Sequence, residues 1–240
     1  MIYTHKQAVR NYKGLKQYEN MYNTTINKKY YYFIRLDGVK MTKSYLKNND
    51  KKLFLSTFRK MISIFMNENP DFKVCYSYAD ELSLFIPPNI LKKYEYRIEK
   101  LISIYTSKIT AAFYLAANEV GLELKNVLCS FDARLISLPD FNTVIEYIES
   151  RQMFNITRHL LILNNQYLHD KKLVFSKDII EALAKIGFIY EKVNRHERYG
   201  ILWVNDKYIK CFEFKENEHL LIDLIKDYCK NEMELVKKNV

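Results

Sequence analysis

Asp80 and Glu81 stand between two β-favouring runs, Tyr76-Ser77-Tyr78 and Leu82-Ser83-Leu84-Phe85-Ile86. That pattern predicts two strands joined by a tight turn, with the acids at its tip. Asp bonds its own backbone in turns, so alone the pair reads as a solvated hairpin tip. A second acid changes the weighing. Asp37 follows the strand-like run Tyr30-Tyr31-Tyr32-Phe33-Ile34-Arg35-Leu36, and Gly38 behind it permits close backbone approach or an unusual φ. Acids at the ends of neighbouring strands can share one sheet edge. There they can hold Mg²⁺, a hard cation that takes one or two carboxylates plus substrate phosphates. Two such ions would clamp the attacking and leaving oxygens of a phosphoryl or nucleotidyl transfer. Asp37 and Asp80 are therefore the candidate ligands of a two-metal nucleotide-transfer site.

The elements that must position these acids follow from periodicity. Residues 4–22 read as a helix with a kink at Gly14. The basic loop Val39-Lys40-Met41-Thr42-Lys43 leads from the first acid towards bound phosphates. Asp50 caps a helix on which Leu53, Phe54, Thr57, Phe58, Met61, Ile62, Phe65 and Met66 recur at helical spacing, and Pro70 ends it. The acid-tipped hairpin spans 73–86. One long helix is expected from Asn89 to about Val120, with Arg97 and Lys100 near its start, three apart and on one side. A strand over 126–137 places Asp132 and Arg134 on one face, where they can form an ordinary ion pair.

Strand, helix, hairpin, helix, strand is the ferredoxin-like β-α-β-β-α-β order, an antiparallel sheet backed by helices. The fold class expected is α+β, a polymerase-type palm over 1–139. A mainly helical extension over 140–240 packs on it and carries a small hairpin turned at Asn205-Asp206. In the extension, one or two helices are expected over 141–165. Ser176-Lys177-Asp178 caps another through Lys185, and a basic amphipathic helix with Leu220, Leu221, Leu224, Ile225 and Tyr228 inside closes the chain.

The chain has 240 residues and 48% hydrophobic content, enough for a sizeable core. Its 38 basic against 28 acidic residues give +10, a balance that suits a polyanion such as nucleic acid. Lys enrichment for solubility would produce the same number, so charge alone decides nothing. Cys75, Cys129, Cys211 and Cys229 form no CxxC pair, which fits a reducing compartment and single thiols. No apolar run approaches the ~20 residues needed to span a bilayer, and the N-terminus lacks a signal-peptide core. A cytoplasmic protein without membrane partners is expected.

Three segments carry a family resemblance: Arg35-Leu36-Asp37-Gly38, Ala79-Asp80-Glu81-Leu82-Ser83-Leu84-Phe85 and Phe131-Asp132-Ala133-Arg134-Leu135-Ile136. Tyr94 to Leu101, Arg151-Gln152 and Arg198-Tyr199-Gly200-Ile201-Leu202 follow the same order. The chain resembles the tRNA-His guanylyltransferase family with its 3′–5′ polymerase relatives. The resemblance implies nucleotide addition to the 5′ end of tRNA. ATP or GTP activates the 5′-phosphate, and the 3′-hydroxyl of an incoming nucleotide attacks it.

Carried over, Asp37 and Asp80 would bind two Mg²⁺ ions with the carbonyl of Gly38. Glu81 would stand with them as a catalytic acid, positioning water or substrate. Backbone N–H groups at Val39, Lys40 and Met41 would cradle a triphosphate. Arg97, Lys100 and Arg134 would meet phosphates. The family's assembly implies a homo-oligomer, often a tetramer. The chain departs from the pattern at Ala79, usually Ser, and at Val39, usually basic. It departs again over Phe154 to Ile162, where the guanylyltransferase proper has an acid and a His-Ile-Asn signature. The last departure favours templated 5′-end repair over untemplated G addition, and it gives His159 no role. Two other readings remain: a nucleotide cyclase or small-molecule nucleotidyltransferase on the same palm, and an RNA-binding protein with a degenerate palm.

Overall fold

In the computed structural model of the protein, residues 24–46, 50–124, 128–170, 173, 175–204, 207–209 and 223 are described. The helix expected over 4–22, the turn at Asn205-Asp206 and the closing amphipathic helix lie outside them. Four strands build the palm: β1 (Tyr31–Gly38), β2 (Val74–Tyr78), β3 (Glu81–Phe85) and β4 (Phe131–Leu138). Two short strands, β5 (Ile201–Val204) and β6 (Lys207–Ile209), come from the second half of the chain. All six lie in one sheet in the order β4-β1-β3-β2-β5-β6, and every pairing is antiparallel.

Helices α1 (Lys51–Glu68) and α3 (Ile98–Val120) cover one face. Their spaced apolar residues meet there. Phe54, Phe58, Met61, Ile62 and Phe65 of α1 and Leu101, Tyr105, Ile109 and Phe113 of α3 share a core with Tyr32, Ile34, Leu36, Leu82 and Leu84. Leu53, expected on the inner face of α1, is instead exposed. On the opposite face α4 (Phe141–Leu163) lays Val144, Ile145 and Ile148 over Phe33, Phe85 and Leu138. Asp140 caps α4 by accepting from the Thr143 amide at 2.8 Å.

Three boundaries differ from expectation. The helix expected over 89–120 is two: α2 (Pro88–Lys93), then α3, with Glu95 and Tyr96 at positive φ between them. Backbone pairing causes the break, since Ile26 donates to Tyr96 O and Ile98 to Thr24 O. Arg97 is thereby the residue preceding α3 and is not on the helix with Lys100. The fourth strand begins only at Phe131; residues 128–130 are irregular, with Leu128 exposed. The expected cap Ser176 is the first residue of α5 (Ser176–Lys185), which Phe175 precedes. A five-residue α6 (Arg195–Tyr199) leads into β5. Among the described residues, no helix is long and apolar enough to cross a membrane.

Candidate active site

β1 ends beside the β2–β3 turn, so the two acids expected at one rim meet there. In the β1–β3 register Asp37 faces Glu81 and Arg35 faces Ser83. One step further, the Gly38 amide donates to Asp80 O at 2.9 Å. Gly38 suits a close approach: a Cβ there would lie 2.5 Å from Met41 Sδ and 3.1 Å from Asp80 Cβ, so the Met41 side chain would have to move. The turn itself is tight, with Ala79 in the left-handed region at φ 53°.

The two aspartates differ in environment. Asp37 is exposed on the rim, whereas Asp80 is only 5% exposed. Burial pushes the Asp80 carboxyl up; a hydrogen bond from Thr42 Oγ1 at 2.5 Å opposes this, and the neighbouring Asp37 charge adds to it. Two acids close enough to repel, with one desolvated, form a donor set that a divalent cation would relieve. A pair of rim acids fits a cation that takes one or two carboxylates and completes its shell from phosphate and water. In such a site the ion would supply charge stabilisation at a transferring phosphate.

Glu81 is held differently. Arg151 Nε donates to Glu81 Oε1 at 2.9 Å, and Arg151 Nη2 donates to Glu81 Oε2. Both side chains are only 15% exposed. Helix and strand run in step here. Tyr147 meets Ser83 at 3.0 Å and Arg151 meets Glu81, so four residues of helix match two of strand, roughly 6 Å in each case. Continuing upward, α4 passes the hairpin tip, and the exposed Arg158 lies close enough for its charge to act on Asp80.

The other expected residues are dispersed. Val39 spends its amide on Ser130 O at 2.9 Å, which leaves Lys40, at φ 63°, and Met41 as the triphosphate-cradle candidates of that loop. Their amides open the helical turn Thr42–Leu46, where N–H groups are left over by geometry. Arg134 pairs with Asp132 at 3.1 Å on the strand beside Asp37. Arg97 and Lys100 are not at this rim. Phe113 of α3 packs against Phe131, the partner of Gly38, and Arg97 lies sixteen residues earlier, ~24 Å down the axis. Arg97 pairs with Glu99 at 2.8 Å.

His159 is buried within 3.5 Å of the Tyr190 hydroxyl, and burial lowers it to about 4, so it is neutral. The motif Arg198–Leu202 is architectural. Arg198 Nε donates to Val193 O, and Gly200 at φ 80° lets β5 dock where a Cβ would sit 2.5 Å from Ser77 O. Sequence reasoning assigned no role to Thr42, Arg151 or Arg158. For Arg151 a signal existed in the Arg151-Gln152 match; for Arg158 none did, because only the step between α4 and β3 carries it to the tip.

Residues 12–139 match the family model described as "Thg1: tRNAHis guanylyltransferase". The curated tRNA(His) guanylyltransferase of Schizosaccharomyces pombe is 25% identical, covering 91% of this chain and 92% of its own length. A bacterial tRNA(His) guanylyltransferase-like protein solved with ATP superposes with a TM-score of 0.73 at 20% identity, over 89% of this chain and 98% of that one. The enzyme from Saccharomyces cerevisiae superposes with a TM-score of 0.68 at 18% identity, over 82% and 94% of the two chains. The antiparallel palm is thus the fold these proteins share, and the chain belongs to the tRNAHis guanylyltransferase family of nucleotidyltransferases.

Proposed function

We propose that the protein adds nucleotides to the 5′ end of tRNA in the 3′–5′ direction, using Mg²⁺ held by Asp37 and Asp80. The observation that carries this reading is the junction at Gly38, which brings an exposed and a buried aspartate to one rim. Asp37 offers its carboxylate towards solvent, and Thr42 donates to the buried Asp80 carboxyl, opposing the upward push of burial on it. Lys40 and Met41 present amides, and Arg134 and Arg158 present charge, to a triphosphate or 5′-phosphate. A related bacterial protein has been solved with GTP as well as ATP, which agrees with either as the activating and donor nucleotide. Templated repair of shortened tRNA is the mode favoured by the altered stretch Phe154 to Ile162, which lacks the family's acid and His-Ile-Asn signature and leaves Phe154 and Arg158 exposed.

The test uses labelled GTP with Mg²⁺, with and without a 5′-truncated tRNA. Label is expected on the RNA, and a cyclic nucleotide instead would establish the cyclase reading. Asp37→Ala and Asp80→Ala are each expected to cut turnover at least 1,000-fold while RNA binding persists. Wild-type turnover in either variant would refute the metal assignment.

A further inference from the structure

Three carboxylates line one row of the sheet. Asp37 lies in the middle, with Asp132 opposite on β4 and Glu81 opposite on β3. Side chains directly across antiparallel strands share a face and stand ~5 Å apart at Cβ. Each flanking carboxylate is held by an arginine of its own, Asp132 by Arg134 and Glu81 by Arg151. The two pairs are not equivalent. Asp132 and Arg134 are 50% and 64% exposed, so solvent screens them. The Glu81–Arg151 pair is two-pronged and 15% exposed on both sides, and the guanidinium also lies over the Phe154 ring at 5.0 Å. Tyr147, bonded to Ser83, closes the inner side.

A cation fixed one strand away from Asp37 is a hazard for a metal ligand. Unrestrained, the Arg151 guanidinium could swing to Asp37 and occupy it. Glu81 prevents this by holding the guanidinium through Nε and Nη2, one on each carboxylate oxygen. We infer that Glu81 and Arg151 form a charge clamp of positioning residues, in which Glu81 does not ligate metal but keeps Arg151 off Asp37. The clamp rests on the metal reading of Asp37 proposed above. It also accounts for two adjacent acids at the tip with different tasks: Asp80 accepts from Thr42 and feels the Asp37 charge, and Glu81 turns to the helix.

The test is Mn²⁺ binding to the full chain, read by electron paramagnetic resonance with a non-hydrolysable GTP analogue present. Asp37→Asn is expected to weaken binding at least tenfold; unchanged binding there would sink the metal reading and the clamp with it. Glu81→Gln frees Arg151 and is expected to weaken Mn²⁺ on the order of tenfold. Arg151→Met removes the competing cation and is expected to bind Mn²⁺ as tightly as the wild type or more so. The double variant Glu81→Gln with Arg151→Met should return to within about twofold of wild type. A double variant as weak as Glu81→Gln would make Glu81 a ligand and overturn the clamp, as would a tenfold loss in Arg151→Met. Wild-type binding in Glu81→Gln, with Asp37→Asn weakened, would overturn the clamp alone.

Discussion

Asp80 carries a conflict between stability and function. Burial and the Asp37 charge both raise its pKa in the folded state, and the Thr42 bond offsets only part of this. Between the unfolded and folded values the native protein binds more protons, so stability falls as pH rises through that window. Above that window the ionised carboxylate costs stability. Asp80→Asn is expected to raise the Tm of the metal-free protein by on the order of 2–4 °C, about 1 kcal/mol for a chain this size, while abolishing turnover. Differential scanning calorimetry without metal checks it. Thr42→Val removes the bond that favours the ionised form. The acid limb of its pH–rate profile should move to higher pH, with roughly tenfold slower turnover on the acidic side. Steady-state kinetics across pH would show it.

Among the elements, the hairpin tip and the β2–β5 junction are each fixed by a residue in an unusual conformation. Ala79 takes a left-handed φ of 53°, a cost the Gly38 contact and the β1–β3 ladder must hold in place. Gly200 has φ 80° and packs against Ser77 O and the Tyr76 ring. There the backbone cannot yield. Tyr76 and Tyr78 donate their hydroxyls to Tyr199 O and Glu197 O, tying the same strand to α6. Gly200→Ala is expected to cost about 2–4 kcal/mol, from left-handed strain plus overpacking. Urea unfolding should show the lower midpoint. Elements built on β1 and β3 carry the acids, so Mg²⁺-dependent turnover of the folded fraction should fall less than stability does.

For the whole molecule, β5 makes the second half of the chain part of the palm's own sheet through its pairing with β2. The acids occupy one rim, while Arg97 and Lys100 lie at the far end of α3 among Lys28, Lys92 and Lys93. With +10 overall, contacts to an RNA longer than the reacting end are expected to be largely ionic. Raising salt from 50 to 200 mM should therefore weaken tRNA binding by roughly tenfold or more, with a much smaller effect on binding of the free triphosphate. Filter binding and nucleotide titration at matched salt distinguish the two.

Amino-acid order by itself determined the β-α-β-β-α-β sequence of elements, because alternating and 3.6-period apolar patterns are local signals that burial must honour. It also determined that Asp37 and Asp80 reach one rim, since strands ending in Asp-Gly and at a two-residue turn leave little freedom. What the tertiary structure decided was the partner of each polar group. No Gly or Pro marks the break before Arg97; residues 24–26 pull the backbone out of the helix, and with it Arg97 away from Lys100. Likewise the sequence placed Glu81 beside Asp80 as an acid positioning water or substrate, with no partner for it. Arg151, seventy positions later, takes both of its oxygens because α4 climbs β3 in step with it. Such pairings depend on how helices cross the sheet, and no local pattern encodes that crossing.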